Sequence, residues 1–498
     1  MKSFFTMCAA IGAGLVVTSF ALAADVQYDL AADAPQSVAN NNQPTYTRGT
    51  LTAYFADTDK KDDVKKDNKS AEESTNGDMT NAPASCGCEA PSCSSEAPSC
   101  GNEAPECGSE TGCGSTCGCC NDDWCDLGID NCWPFCCCCK PGDPCTLQKC
   151  LTPCCNDVTY GGWIGTGFYT NNDPLSFHNG DLLSFWDHPN DLNLDQAWLW
   201  LERKPNSKSC CWDWGYRFDL LYGVDAQKTQ AFGNSGFPNA QGYDNSWDNG
   251  SYGWALPQAY IDLGNDKWDV KIGHFFTLVG YEVIPETGNF FYSHSYTMFN
   301  SEPFTHTGVL ATYKVDDKLS VMGGWVLGWD TGFDQFGNGN AVHSGFTYQA
   351  SKNAKYSYMM TGGDLGWRGD GYSHSIVADF TLSRRWEYVF QSDLLDTSSN
   401  SNATFDGLSY GTNNYLFYTI NDCWKWGTRA EWWKGNNVDG RMHSFYEIAT
   451  GPNYKYNANL TIRPEIKFNW CPAEQTVENA AGGQFSNVIF GMDALYTF

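Results

Sequence analysis

Charged residues at every second position, opposite an unbroken apolar face, constrain this chain more than any other feature. In Leu460–Trp470, one face is Leu460, Ile462, Pro464, Ile466, Phe468 and Trp470, and the other is Thr461, Arg463, Glu465, Lys467 and Asn469. In Tyr216–Val224, Tyr216, Phe218, Leu220, Tyr222 and Val224 oppose Arg217, Asp219, Leu221 and Gly223. A period of two is a strand period, and a wall between lipid and a wet lumen requires apolar and charged faces back to back. A β-sandwich also alternates, with its charged face in solvent. The last strand weighs against the sandwich: Val488, Phe490, Met492, Ala494, Tyr496 and Phe498 make one apolar face that runs to the end of the chain. Phe490, Met492, Ala494, Tyr496 and Phe498 therefore read as a terminal insertion strand, of the kind the barrel-assembly machinery engages.

Strand signals begin near Tyr160, Asn193, Trp212, Trp254, Trp268, Thr307, Leu319, His343, Lys355, Ser373, Trp386, Asn413, Trp424, Ser444, Asn459 and Gln484. The fold expected is all-β: a transmembrane antiparallel barrel of about 16 strands over residues 158–498. Connection lengths test this count. Gly264–Lys267, Asp316–Lys318, Ser351–Lys355 and Ser383–Arg385 are short and follow even strands. Thr170–Leu192, Ala226–Gly253, Thr277–His306 and Trp329–Val342 are long and follow odd strands. Barrels have short periplasmic turns and long external loops, so this parity puts both ends of the barrel domain in the periplasm.

Three segments precede it. Residues 1–24 read as a secretory signal peptide: Lys2, an apolar stretch from Phe4 to Leu22, and the small-x-small site Ala21-Leu22-Ala23. Residues 25–80 read as a polar disordered linker carrying the charged run Asp57–Lys69, with a short helix open around Leu51–Phe55. Residues 81–157 form a Cys-rich low-complexity region that holds 19 of the 24 Cys. Cys86, Cys93, Cys100 and Cys107 recur every seven residues, but the Pro in each repeat forbids a helical seam. An oxidising compartment makes disulfides, within or between chains, the default there. Cys117-x-x-Cys120 and Cys136-x-x-Cys139 have ligand-like spacing, yet the adjacent Cys pairs break a clean four-ligand pattern, and no metal or cofactor is assigned.

The net charge of −28 argues against a nucleic-acid partner, because both the N-terminal region and the body are acidic. No nucleophile-elbow Gly-x-Ser-x-Gly occurs and the eight His are scattered, so an enzyme is not expected.

The connection Thr277–His306 is the longest. It carries Glu282, Glu286 and Glu302 and no Lys or Arg, so an inward fold would make it a pore constriction that favours cations. The alternative is an ordinary external loop with solvated acids. The expected lumen face carries Asp219, Asp262, Asp269, Asp379, Glu387, Asp393, Glu431, Glu447, Glu465 and Asp493 against Arg217, Lys271, Arg429, Arg463 and Lys467. Ten acids against five bases predict a weak cation preference, although neighbours such as Arg429 and Glu431, or Arg463, Glu465 and Lys467, also suit simple wall salt bridges. Trp268, Trp386, Trp424, Trp426, Trp432 and Tyr496 are girdle candidates. Trp198, Trp200 and Trp433 are the rings to consider for sugar stacking along a lumen.

Several phrases resemble the β-barrel porin family described as OmpL-like: Leu220-Leu-Tyr-Gly-Val-Asp225, Gly273-His-Phe-Phe-Thr-Leu-Val-Gly-Tyr-Glu282, Asn289-Phe-Phe-Tyr-Ser-His-Ser-Tyr296 and Glu302-Pro-Phe-Thr-His-Thr-Gly-Val309. The resemblance covers roughly residues 158–498 and leaves the Cys-rich region outside. It implies a closed outer-membrane barrel with a pore and supplies no substrate. The leading expectation is passive diffusion of small hydrophilic solutes, with lipid and further copies of the chain as partners. Two other roles stay open: a structural envelope protein, its barrel an anchor cross-linked to envelope proteins through the Cys-rich arm, and a sugar-selective porin.

Overall fold

The computed structural model describes residues 141–142, 144–148, 157–170, 185–186, 188–208, 210–231, 242–333, 339–398, 407–436, 442–472 and 486–498. The signal-peptide, linker and most of the Cys-rich readings lie outside these residues.

Sixteen long strands form the wall. They are β1 (Val158–Tyr169), β2 (Leu192–Arg203), β3 (Asp213–Gly223), β4 (Tyr252–Gly264), β5 (Trp268–Phe276), β6 (Thr305–Lys314), β7 (Leu319–Val326) and β8 (Asn340–Ser351), followed by β9 (Ala354–Asp364), β10 (Asp370–Thr381), β11 (Trp386–Ser398), β12 (Gly407–Thr419), β13 (Trp424–Asn436), β14 (Met442–Lys455), β15 (Leu460–Trp470) and β16 (Ser486–Thr497). Each pairs antiparallel with its sequence neighbours, and β1 pairs with β16 from Trp163↔Thr497 to Tyr169↔Gly491, which closes the barrel. Phe498 completes the seam: its N–H donates to Gly162 O at 2.9 Å. A two-residue strand, Asp248–Asn249, adds to the β4 edge within a loop.

Local chemistry sets the short turns. At one rim Asn265, Asp316, Asn421 and Asn457 each accept backbone N–H bonds two and three residues on, at 2.7–2.9 Å. These side-chain caps reverse the chain within a few residues. All seven even-to-odd connections lie at this short-turn rim, and the eight odd-to-even connections lie at the opposite, long-loop rim. The parity read from sequence therefore holds, although the 365–369 connection at the long-loop rim is itself brief.

The wall is inside-out. Phe218, Ile261, Ile272, Val321, Phe346, Ile376, Leu416, Ile448, Ile466, Phe468, Phe490 and Met492 are exposed outward, while Arg217, Asp219, Gln391, Asp393, Arg429, Glu431, Glu447, Arg463, Glu465, Lys467 and Asp493 are buried inward. A soluble sandwich would reverse this. Aromatic pairs ring both edges of the apolar band. Trp268–Tyr313 (4.6 Å between centroids), Trp386–Tyr418 (4.7 Å) and Trp424–Tyr454 (4.3 Å) sit toward the short turns. Tyr222–Trp254 (4.6 Å), Tyr410–Trp432 (5.5 Å) and Tyr446–Trp470 (5.4 Å) sit toward the long loops. From Trp214 to Tyr222 along β3, eight steps of about 3.3 Å on a strand tilted roughly 40° span about 20 Å, the height of a membrane band. The girdle expected from sequence is thus present, and β3 and β4 add Trp214, Tyr222 and Trp254 to it.

Candidate functional site: a loop latched inside the barrel

The connection between β5 and β6 turns inward. Its residues bond to inward-facing side chains of β11 to β15, and its helix α1 (Tyr296–Ser301) packs on β11, β12 and β13. Ser295 caps α1, its hydroxyl accepting from Met298 N at 3.2 Å.

Two wall carboxylates, two wall arginines and a wall lysine hold the loop. Glu431 accepts from Tyr296 N, Thr297 N and Thr297 Oγ1, each at 2.6 Å. Glu465 accepts from Tyr292 N at 2.9 Å and Ser293 N at 3.1 Å. Arg429, fully buried, donates to Glu447 at 2.6 Å, Glu282 at 2.5 Å, Ser293 O at 2.8 Å and Ser293 Oγ at 2.8 Å. Arg463 holds Asp493 through Nε at 2.9 Å and also through its terminal nitrogen, and donates to the backbone oxygens of Glu286 (3.0 Å) and Asn289 (2.8 Å). Lys467 donates to His294 O at 3.0 Å and pairs with Glu447 at 2.7 Å.

Wall glycines make the room. A Cβ at Gly167 of β1 would meet Tyr292 Oη at 2.1 Å, and one at Gly427 of β13 would meet the Phe290 ring at 2.3 Å. Glycine inside a strand marks the close approach of another segment, here the loop.

The inward side is not uniformly wet. Trp163, Trp198, Phe275, Phe276, Met298, Phe299, Phe304 and Trp329 form part of one buried cluster where the loops pack inside the wall. A second cluster joins Phe291 to Val377, Val389, Tyr415 and Phe417, with Tyr281 and Phe290 against it. Beneath the loop, toward the short turns, is a cavity of about 470 Å³ bounded by Thr287 and Asn289 of the loop and by Thr419, Lys425, Asn453, Lys455, Thr461, Arg463 and Thr497.

A family model described as "Putative beta-barrel porin-2, OmpL-like" matches residues 157–498. This chain belongs to that OmpL-like porin family. It is an outer-membrane β-barrel. The porin is similar in fold to the outer membrane channel DcaP of Acinetobacter baumannii (11% identity, 68% of this chain and 97% of that one, TM-score 0.47). It is similar also to an anion-selective porin from Comamonas acidovorans (9%, 68% and 99%, TM-score 0.45) and to OprB of Pseudomonas putida (11%, 68% and 94%, TM-score 0.45). No match was found among curated proteins.

In this porin the loop acids named from sequence do not stand free. Glu282 is buried, bonded to Arg429, to Ser295 N at 2.8 Å and to Tyr415 Oη at 3.1 Å. Glu302 is buried and accepts from Gln391. Glu286 lies 3.8 Å from Arg463, whose closer partner is Asp493. Burial pushes the Glu286 carboxyl well above the usual carboxylate range, Asp195 and Asp493 push it further, and Arg463 opposes them. Burial likewise holds the His294 imidazole well below its ordinary value, with Arg429, Arg463, Lys467 and Lys228 adding to the effect.

Of the lumen charges, Arg217 pairs with Asp219 at 2.6 Å and Glu202 at 3.4 Å, and Lys271 with Asp269 at 3.7 Å. Glu387 pairs with Lys425 at 2.6 Å. Asp262 is buried inward on β4 opposite Lys271, and Asp379 faces inward but is exposed, toward the short-turn end of β10. Trp198 is buried and stacked on Trp163 at 4.7 Å, Trp433 is buried and donates to Ser301, and Trp200 lies under Arg217. These contacts occupy the rings that sugar stacking would need.

Gln196 was not legible. Fully buried, it accepts from Trp163 Nε1 (3.0 Å) and Glu286 N (3.1 Å) and donates to Asp225 (2.9 Å) and Ile284 O (2.8 Å). All four hydrogen bonds of the amide are used. A β-bulge between Gly165 and Thr166 of β1 opposes Asp195–Gln196, so two successive β2 residues turn inward and the simple alternation fails there. Asp195, Glu202 and Lys425 are further inward charges outside the set read from sequence. The signal available for the latch was glycine at inward strand positions, such as Gly167 and Gly427.

Proposed function

We propose that this porin is a passive diffusion channel for small hydrophilic solutes, narrowed by the latched loop, with weak cation preference. The observation that carries the reading is the closed inside-out wall whose third long loop is bound inward by Arg429, Glu431, Arg463 and Glu465. A loop fastened at that many buried points sets the width of a passage. The cavity beneath it supports a vestibule on the short-turn side, which we assign to the periplasm from the parity of turns and loops.

The cation preference rests on the wall, not on the loop acids. Glu282 is neutralised by Arg429, and Glu286 is held toward its uncharged form. The inward face nevertheless keeps more acids than bases once Glu202 is added beside Lys425. In a confined, partly desolvated lumen such an excess attracts cations.

Liposome swelling with graded neutral sugars, together with a reversal potential across a salt gradient, tests this. Swelling that falls off with solute size and a potential of the cation-favouring sign are expected. Liposomes that stay silent to the smallest sugar remove the channel, and an anion-favouring potential removes the charge assignment.

A further inference from the structure

The short-turn rim carries cysteines that the channel does not use. Cys211 lies in the turn between β2 and β3 and Cys423 in the turn between β12 and β13, and both are disulfide-bonded. Around the closed wall the order runs β12, β13, β14, β15, β16, β1, β2, β3, so these turns bracket the point where the chain enters β1.

A piece of the preceding segment already lies on this arc. Ala458 N donates to Pro141 O at 2.7 Å, Cys145 N to Asn459 Oδ1 at 2.9 Å, and Asn459 Nδ2 to Cys145 O at 2.6 Å. Thus Pro141 and Cys145 sit on the turn between β14 and β15. That turn neighbours the Cys423 turn, where Lys455 N donates to Cys423 O at 2.8 Å. Gln148 Nε2 reaches Val158 O at 3.2 Å, keeping Gln148 near the foot of β1. Pro141, Cys145 and Gln148 are thus held at the rim between the two disulfide-bonded turns, and the region they belong to, residues 81–157, holds 19 of the chain's 24 Cys.

We propose that the rim arc from Cys211 to Cys423 is the docking surface of this chain's own Cys-rich segment, residues 81–157, joined to it by intramolecular disulfides at both positions. Two anchors, one on each side of the start of β1, fasten the segment along the rim. Each link converts two thiols to one S–S bond, releasing two protons. The two electrons pass to a disulfide of the thiol–disulfide exchange class, which becomes a dithiol. The proposal is independent of conductance: a silent barrel would leave it standing.

The test is disulfide mapping of the full-length protein, purified with free thiols alkylated, cleaved without reduction and read by mass spectrometry. The expected result is Cys211 and Cys423 each recovered in a peptide joined to one from residues 81–157, from protein that migrates as a monomer without reductant. Recovery of either cysteine as an alkylated thiol, joined to the other, or joined to a second polypeptide overturns the proposal. C211S/C423S adds a second readout: the barrel keeps its heat-modifiable mobility, and one proteolytic cut between the segment and β1 now releases the segment without reductant. Retention of the cut segment by this variant also overturns the proposal. If the variant does not fold, the mapping of the unaltered protein decides alone.

Discussion

Replacing Arg429 with methionine keeps the bulk of the side chain and removes the cation that ties loop to wall. Arg429 is fully buried and contacts Glu282 at 2.5 Å, Glu447 at 2.6 Å and Ser293 twice at 2.8 Å. Without it Glu447 keeps Lys467 at 2.7 Å, but Glu282 keeps only the neutral donors Ser295 N and Tyr415 Oη. Stranding a buried charge in this way costs about 3–5 kcal/mol. At about 1.4 kcal/mol per tenfold, the latched population falls by roughly two to three and a half orders of magnitude relative to the released one. Chymotrypsin, which cuts beside aromatic residues, reads this at Tyr281, Phe290, Phe291 and Tyr292 in detergent-folded protein. When opening is fast relative to cleavage, the rate tracks the open population. Nicking of R429M is expected to rise by a factor of the order of 10² or more, while R429M/E282Q recovers part of the loss because no charge is left stranded. The exposed pair of Lys314 and Asp317, at 3.5 Å, is the contrast, and K314A should cost under about 1 kcal/mol. An R429M barrel that folds but is nicked within about threefold of the unaltered rate would refute the latch.

Four further outcomes follow from the same geometry. His294 is buried neutral, and its value in the latched loop lies well below 6.5, so the released form binds protons more readily. The contribution of His294 to the latch is therefore fully present above about pH 6.5 and is lost as pH falls below it, while Glu286, its carboxyl pushed up in the latched loop, contributes with the opposite sign. Comparison with H294N isolates His294: nicking of the unaltered protein relative to H294N should rise from pH 7.5 to pH 5, and a ratio that rises toward high pH contradicts the sign. G167A and G427A should each cost about 1–3 kcal/mol by driving a Cβ into Tyr292 or Phe290, read as a lower unfolding temperature with faster loop nicking. F218R puts a cation in the middle of the outward band and should cost about 2–4 kcal/mol in folding into lipid, whereas a change under about 0.5 kcal/mol means that Phe218 does not face the bilayer. Removing Phe498, which closes the seam on Gly162, should lower the yield of heat-modifiable barrel; full yield would count against the role given to the terminal strand.

The wall was legible because its faces reverse those of a soluble protein. Arg463, Glu465 and Lys467 alternate with Ile462, Pro464, Ile466 and Phe468, and no soluble core explains that many charges turned toward the inside. Most expected strand starts fall within three residues of the observed ones; β12 begins at Gly407 against an expected Asn413. Its first half, Gly407-Leu-Ser-Tyr-Gly-Thr412, mixes small and polar residues on both faces and gives little contrast. The latch could be guessed only as a long acidic loop. Glu282 and Arg429 lie 147 residues apart, and nothing local to Glu282 says that its charge will be met from β13. For the same reason the loop acids suggested a cation-favouring constriction, whereas in the fold Glu282 is met by Arg429 and Glu302 by Gln391. Gln196 was hidden by a bulge, and the rim anchors by their wide separation, since Cys211 and Cys423 become part of one arc only when β1 meets β16.

Single-channel recording in planar bilayers measures the central claim most directly, comparing the unaltered porin with a variant in which Gly280–Ser301 is replaced by a short Gly-Ser linker. Stepwise, ohmic conductance is expected from the unaltered protein, with a larger step once the loop is gone. A barrel that inserts but stays silent, or steps of equal size with and without the loop, would contradict a channel narrowed by the loop that Arg429 and Arg463 hold inside it.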